Sequence, residues 1–331
     1  MLKEDIVKYP TRYLGSKHKL LGWIWDSTER HLKEAGVQTI IDPFSGTGLV
    51  SFLYKQKGFR VISNDFLLFN HYTAKALIEN NCTALSEEEI QNVSLPPASA
   101  NTFVQDEYTD LFFSQRDTRF LDDIHPHILR MDDEYKRALS FAALSYAILK
   151  KAPYGRFTTT KASDPRGRSI QEFFVENLRR YNGLVFSNGK ENLTHCADAN
   201  VLMPQVQGDA VYFDPPYGGG RYNKYEHFYN FVELYINYWD TAPKSGKLKK
   251  VTSISSDFSF TGKYKETLKT LLVNSEHIPL WLFSYNDNGR LTLDELKDLI
   301  GEFKKNIIVE SVDYEYANKI KGYKEFLVVA S

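Results

Sequence analysis

The sequence predicts an α/β fold on an open, mostly parallel sheet, with ligands gathered along one edge. Three observations predict it. Residues 37–65 read as strand, glycine-containing loop, helix and second strand. Ala210 to Phe213 is a short apolar, β-branched and aromatic run, the pattern of a buried strand, and Asp214-Pro215-Pro216-Tyr217 ends it. Ile307 to Tyr314 and Glu325 to Ala330 read as two closing strands, paired antiparallel. Two prolines cannot continue a strand ladder, so the sheet must release the chain after Phe213. A carboxylate, a rigid turn and an aromatic ring therefore stand at the carboxyl end of a strand, where open α/β sheets bind ligands.

Composition limits the function classes. Hydrophobic residues make up 42% and charged residues 25% of 331, as in soluble globular proteins. There is no apolar run long enough for a bilayer and no signal-peptide pattern at Met1 to Pro10, so no membrane association is expected. Cys82 and Cys196 are the only cysteines, which suggests neither a disulfide framework nor a zinc site, and the cytoplasm is the expected compartment. Formal net charge is −1, so any nucleic-acid surface has to be a local patch.

In chain order, Tyr13-Leu14-Gly15-Ser16-Lys17 is a small loop, and Leu20, Leu21, Ile24 and Trp25 recur behind it at helical spacing from His18 to Leu32. The loop opens that helix, where free N–H groups favour an anion, and Lys17 adds a positive charge. Val37 to Ile41 is a buried strand and Asp42-Pro43-Phe44-Ser45-Gly46-Thr47-Gly48 the loop after it. Leu49 to Lys57 is a helix stopped by Gly58, and Arg60 to Asn64 a strand ending at Asp65, where Rossmann-like folds carry a ribose-hydroxyl acceptor. The loop lacks the third glycine of a dinucleotide fingerprint. Asp42 facing it would repel a pyrophosphate and welcome a cation, such as the amino group of a methionine moiety. The loop therefore suits S-adenosylmethionine better than NAD.

A helical stretch is expected from Asn70 to Leu85, a helix start at Ser86-Glu87-Glu88-Glu89, and an amphipathic helix from Tyr135 to Lys151. The most basic loop-like region follows, with Arg156, Lys161, Arg166 and Arg168 among glycines and prolines, as phosphate contact requires. A solvated surface loop explains the same charges. Helices resume at Phe173 to Tyr181, Phe228 to Trp239, Thr267 to Leu272 and Leu293 to Lys304, and Leu280 to Ser284 is a strand. Lys244 to Lys250 is a basic run that fits either a phosphate contact or a surface turn. Arg221, Tyr222 and Lys224 interleave rings with cations in a loop read as closing over a base. Asp214 and the Pro215 carbonyl are placed to accept hydrogens from one planar amino group, with Tyr217 stacking on the ring that carries it. That suits a flipped-out nucleobase.

The YLGSK segment, DPFSGTG, Asp65 and DPPY, in this order with a long insertion between the last two, resemble the alpha-group, Dam-like adenine-N6 DNA methyltransferases. The resemblance extends through PLWLFSYND and KGYKEFLVVAS. It implies a Rossmann-like class I methyltransferase sheet with an antiparallel C-terminal strand. A catalytic domain over residues 1–80 and 192–331 would flank a target-recognition insertion over 81–191. It implies transfer of a methyl from S-adenosylmethionine to a flipped-out adenine of double-stranded DNA, for restriction-modification or epigenetic marking. Tyr13, Lys17, Asp42, Phe44, Gly46, Gly48, Asp65, Asp198 and Asp214 match the family's cofactor positions, and Asp214, Pro215 and Tyr217 its catalytic set. A monomer, with a cognate restriction endonuclease as possible partner and no metal, is expected. Cytosine-N4 or RNA adenine methylation, a non-catalytic nucleic-acid-binding subunit and a dinucleotide oxidoreductase are the competing readings; the aspartate of DPPY favours adenine.

Overall fold

The computed structural model describes residues 6–13, 15–152, 167–216, 228–238, 240–242, 244–245, 248–249, 256–260, 262–314 and 322–331. The first half of the sheet comes from β1 (Thr39–Asp42), β2 (Arg60–Asn64), β3 (Leu193–His195) and β4 (Ala210–Phe213). A short ladder, β5 (Lys244–Ser245) with β6 (Leu248–Lys249), stands apart from the main sheet, which β7 (Leu280–Asn286), β8 (Ile307–Tyr314) and β9 (Tyr323–Ala330) complete. The strand order is β3-β2-β1-β4-β7-β9-β8. Every neighbour from β3 to β7 is parallel, while β9 runs antiparallel to both β7 and β8. This is the Rossmann-like arrangement the sequence predicts.

Alternation along the strands feeds two cores. Ile40, Val61, Tyr212 and Leu282 face one side; Ile41, Ile62, Val211, Phe213 and Trp281 face the other. On the first side lie α1 (Leu21–Glu34), α2 (Leu49–Gln56), α3 (Leu68–Ala74), α4 (Glu87–Ser94), α5 (Phe103–Tyr108), α6 (Gln115–Leu129), α7 (Glu134–Lys151) and α8 (Ile170–Asn182). On the second lies α9 (Ala199–Leu202). Among the described residues, α10 (Asn230–Ile236) packs on the first side, and α11 (Tyr264–Asn274) and α12 (Leu293–Gly301) cover the second. The helices between residues 81 and 191 thus bury Ile90, Val104, Ile124 and Phe174 in the same apolar cluster as α2 and α3.

Several boundaries differ from the sequence reading for identifiable reasons. β1 starts at Thr39 rather than Val37, because the N–H groups of Gln38 and Thr39 donate to the Asp209 carboxylate at 2.9 and 2.8 Å instead of to a neighbouring strand. The helical stretch expected to run to Leu85 continues past α3 only as a π turn, Lys75–Glu79. The buried Lys55 ammonium stops it, donating to the Leu77 and Asn80 carbonyls at 3.0 and 2.8 Å. Ser86 begins α4, the helix start expected there, and the structure adds a full capping box with Glu89. The basic run Lys244 to Lys250 contains the β5–β6 ladder.

Candidate active site

Parallel β1, β2, β3, β4 and β7 present their carboxyl ends along one edge, and antiparallel β9 brings its first residue there. The turn after β1 is held from below. Asn64, the last residue of β2, donates to the Pro43 and Ala197 carbonyls at 3.0 Å each and accepts the Ala197 N–H at 3.0 Å. One side chain thereby staples the loops after β1 and β3. Gly46 and Gly48 both adopt left-handed backbone, φ 51° and 80°. They also leave room for tyrosines: a Cβ on Gly46 would lie 3.1 Å from the Tyr13 ring, and one on Gly48 would lie 3.2 Å from the Tyr9 hydroxyl. That hydroxyl donates to the Thr47 carbonyl at 2.6 Å.

Above this turn is a cavity of about 240 Å³, lined by Tyr13, Lys17, Asp42, Phe44, Gly46, Asp65, Asp198, Asp214 and Pro215 among others. All nine are residues the sequence singled out. Gly48 is not among the lining residues. Asp198 also caps α9 through the Asn200 N–H at 2.8 Å, and Phe44 meets the edge of Phe258 with ring centres 5.1 Å apart. The expected site residues Tyr217, Arg156, Lys161, Arg166, Arg221, Tyr222 and Lys224 lie outside the described residues. Arg168 is described and does not line this cavity: it pairs with Glu176 at 2.8 Å and stacks on Phe173 at 4.4 Å. The sequence reading missed Asn64, Tyr9 and Tyr323, the last of which also lines the cavity.

Charge is unevenly settled in the cavity. Asp42 is buried, and the Ser51 hydroxyl donates to its Oδ2 at 2.7 Å. Its Oδ1 has no hydrogen-bond partner among the described residues. Burial pushes this carboxyl up to about 7, with repulsion from Asp214 and Asp65 adding to the rise. Asp65 is also buried and pushed up to about 6. Its Oδ2 accepts from the Gly46 N–H at 2.9 Å; its Oδ1 accepts from the Leu67 N–H at 2.9 Å and from Asn70 at 3.1 Å. One lone pair remains for a ligand hydroxyl. Lys17, 4% exposed, is turned onto Asp214, 18% exposed, with Nζ 2.8 Å from both carboxylate oxygens. The lysine thus neutralises the carboxylate at the Asp-Pro-Pro turn, while Asp42 Oδ1 has no hydrogen-bond partner among the described residues.

A glycine turn, acids on successive strand ends and an Asp-Pro-Pro carboxylate surround one cavity on a Rossmann-like sheet. Residues 13–277 match the profile of the D12 class N6 adenine-specific DNA methyltransferases, and the chain belongs to that family. It is an adenine-specific DNA methyltransferase. It is similar to the type II methyltransferase M2.HphI of Haemophilus parahaemolyticus, 32% identical over 335 residues that cover 95% of this chain and 94% of that one. The modification methylase StsI of Streptococcus sanguinis is 29% identical over 90% of this chain, which spans 47% of StsI. The type II methyltransferase M.NlaIII of Neisseria lactamica is 24% identical over 90% of each chain. Among the described residues, no helix is long and apolar enough to cross a membrane.

Proposed function

We propose that this adenine-specific DNA methyltransferase uses S-adenosylmethionine, works on double-stranded DNA as a monomer, and serves a restriction-modification system beside a cognate endonuclease. The observation that carries the cofactor assignment is the buried Asp42 Oδ1, an acceptor without a donor among the described residues, on the wall of an acid-lined cavity. A ligand carrying an ammonium and a sulfonium satisfies it; a pyrophosphate would be repelled. Asp42, with the loop from Phe44 to Gly48 and Tyr13, would hold the methionine end, Asp65 the ribose and Asp198 the adenine amine. When bound, S-adenosylmethionine supplies an electrophilic methyl group on sulfur.

The remaining chemistry belongs to the chain. The exocyclic nitrogen of adenine is a poor nucleophile because its lone pair is delocalised into the ring. Asp214 and the Pro215 carbonyl accept the two amine hydrogens, localise that pair and aim it. Such orientation is worth about 7–11 kcal/mol. Asp214 also stabilises the positive charge that develops on nitrogen, and Tyr217 stacks on the extruded base for about 1–3 kcal/mol. Lys17 fixes the Asp214 carboxylate through both of its oxygens, leaving it lone pairs for the amine. Residues 81–191 supply target recognition, with Arg156, Lys161, Arg166 and Arg168 on phosphates and Arg221, Tyr222 and Lys224 beside the base.

Labelled S-adenosylmethionine incubated with DNA or with RNA, followed by mass spectrometry of the nucleosides, tests this reading. Label is expected in N6-methyladenine of DNA. Label in N4-methylcytosine, or in RNA alone, rejects it.

Asp42 gives a pH prediction with a definite sign. Its carboxyl is raised from 3.8 to about 7 in the fold, so the protonated form is favoured there and stability without ligand declines as pH rises from about 4 towards 7. A cation on Oδ1 favours the ionised form. Affinity for S-adenosylmethionine should therefore rise between about pH 6 and 8, with a proton released on binding below pH 7. Asp65, pushed to about 6, and Glu233, pushed to about 7, titrate in the same window. Asp42→Asn should remove the Asp42 share alone. Calorimetry in two buffers of different ionisation enthalpy reads the proton release, and a pH-independent affinity in the wild type contradicts the assignment.

A further inference from the structure

One buried side chain fixes two peptides of the cavity wall. In the run β3-β2-β1 the central strand is β2, and its last residue is Asn64, 1% exposed. β1 and β3 leave the sheet on either side of it, two strand spacings or about 10 Å apart. Each is laddered to β2 and not to the other. The Asn64 amide spans the gap between their exits. Its nitrogen donates to the Pro43 carbonyl on one side and to the Ala197 carbonyl on the other, each at 3.0 Å, and its oxygen accepts the Ala197 N–H at 3.0 Å. Two carbonyls and one N–H are a set that a primary amide matches and a carboxylate does not.

The peptides held are the ones that carry the wall. A peptide unit is planar, so fixing its oxygen fixes the direction of the whole unit. Holding the Pro43 oxygen orients the unit that leads into Phe44. Holding the Ala197 N–H and oxygen orients the units on both sides of Ala197, and the second leads into Asp198. Pro43, Phe44, Ala197 and Asp198 all line the cavity, whereas Asn64 is not among the lining residues. The β1 turn is held again by the same strand end: the Asn64 carbonyl accepts the Ser45 N–H at 2.9 Å and Asp65 Oδ2 the Gly46 N–H at 2.9 Å. On the β3 side the Asp65 N–H meets the His195 carbonyl at 3.4 Å, longer than any bond of the Asn64 amide.

We propose that Asn64 is a positioning residue for the methyl donor: it sets the spacing between the methionine-side turn and the adenine-side loop, and through the Ala197–Asp198 peptide it aims Asp198 at the exocyclic amine of the donor's adenine. The inference rests on the donor reading above, with Asp42 at the methionine end and Asp198 at the amine. Selectivity for that amine is then set in part by a residue that does not touch the ligand. A buried amide whose three bonds all end on backbone has little freedom to turn, so both walls keep one separation before the donor arrives.

Asn64→Asp tests it. The carboxylate keeps the size but turns an acceptor toward the Pro43 and Ala197 carbonyls, so both should move away from it. The probes are S-adenosylhomocysteine and S-inosylhomocysteine, in which an oxo group replaces the amine; each Kd is measured by calorimetry. The wild type should bind S-adenosylhomocysteine at least about tenfold tighter, because the analogue meets the Asp198 acceptor with another acceptor. Asn64→Asp should cut that ratio below about threefold. A merely structural role would lower the melting temperature and weaken both ligands alike, leaving the ratio intact. With phage λ DNA as acceptor, KM for S-adenosylmethionine should rise about tenfold in the variant while KM for DNA stays within about twofold; an equal rise in both overturns the proposal. If Asn64→Asp is too unstable to titrate, Asn64→Ser leaves room for water to reach the two carbonyls, and it should lower the ratio too. A wild-type ratio kept in either variant overturns the proposal and leaves the donor reading standing. A wild type that binds neither analogue, or both equally, overturns the donor reading and the proposal together.

Discussion

Asp214→Ala is expected to lower kcat by at least about 10²–10³-fold, the scale for loss of a preorganised group that acts on charge developing in the transition state. The cavity wall made by Asp42, Asp65 and Asp198 stays in place, so S-adenosylhomocysteine should still bind measurably by calorimetry. Stability falls as well. The Lys17 ammonium, 4% exposed, loses its partner at 2.8 Å, and removing one member of a buried pair costs about 3–5 kcal/mol. Asp214→Asn separates the two effects. It keeps a hydrogen-bond acceptor beside Lys17 and the shape of the turn, but removes the negative charge that answers the developing positive nitrogen. Thermal melts should place Asn between wild type and Ala, while single-turnover methylation of λ DNA should leave Asn close to Ala. Near-normal turnover in either variant would sink the assigned role.

The parts of this site that could be read from sequence are those where structure and chemistry are local. Ile40, Ile41, Val61, Ile62, Val211 and Phe213 alternate into two cores, and such runs are visible one strand at a time. The prolines after Asp214 and the glycines of the β1 turn announce chain release and left-handed backbone within a few residues. Capping boxes at Ser86, Ser169 and Thr292 announce helices the same way, although Ser169 places the start of α8 earlier than the apolar spacing does.

What escaped depends on distance along the chain or on mixed local signals. Asn64 acts on Ala197, 133 residues away, and Glu233 on Leu68, 165 residues away; an asparagine and a glutamate carry no local mark of such partners. β3 is three half-buried residues, Leu193–His195, too short for a period to show. α6 contains Pro126, which argues against a helix from sequence, yet it runs from Gln115 to Leu129 around a buried face that includes Phe120, Leu121 and Ile124. Tertiary burial decides there. Lys17 was legible as a functional cation but not as the partner of Asp214, because 197 residues separate them.

Lys17→Met carries the second large effect, and its direction follows from the same ion pair. Methionine fills the space of the lysine stem without a charge, so the Asp214 carboxylate loses the ammonium at 2.8 Å and sits beside apolar surface there. Its negative charge is then less well supported and less well aimed, and a carboxylate that turns by a fraction of an ångström loses the alignment the amine needs. A fall in kcat of about 10²-fold is expected, with duplex affinity changed far less, because Lys17 is buried against protein and is not placed to meet phosphate. The double variant Lys17→Met with Asp214→Asn removes both charges together. Its melting temperature should recover above that of Lys17→Met alone, while its activity should stay at the level of Asp214→Asn, since the pair acts as one unit. If Lys17 instead held a ligand anion, Lys17→Met would raise KM for S-adenosylmethionine with kcat intact, and the double variant would show the two losses multiplied. Steady-state kinetics on λ DNA with both substrates varied separates these outcomes.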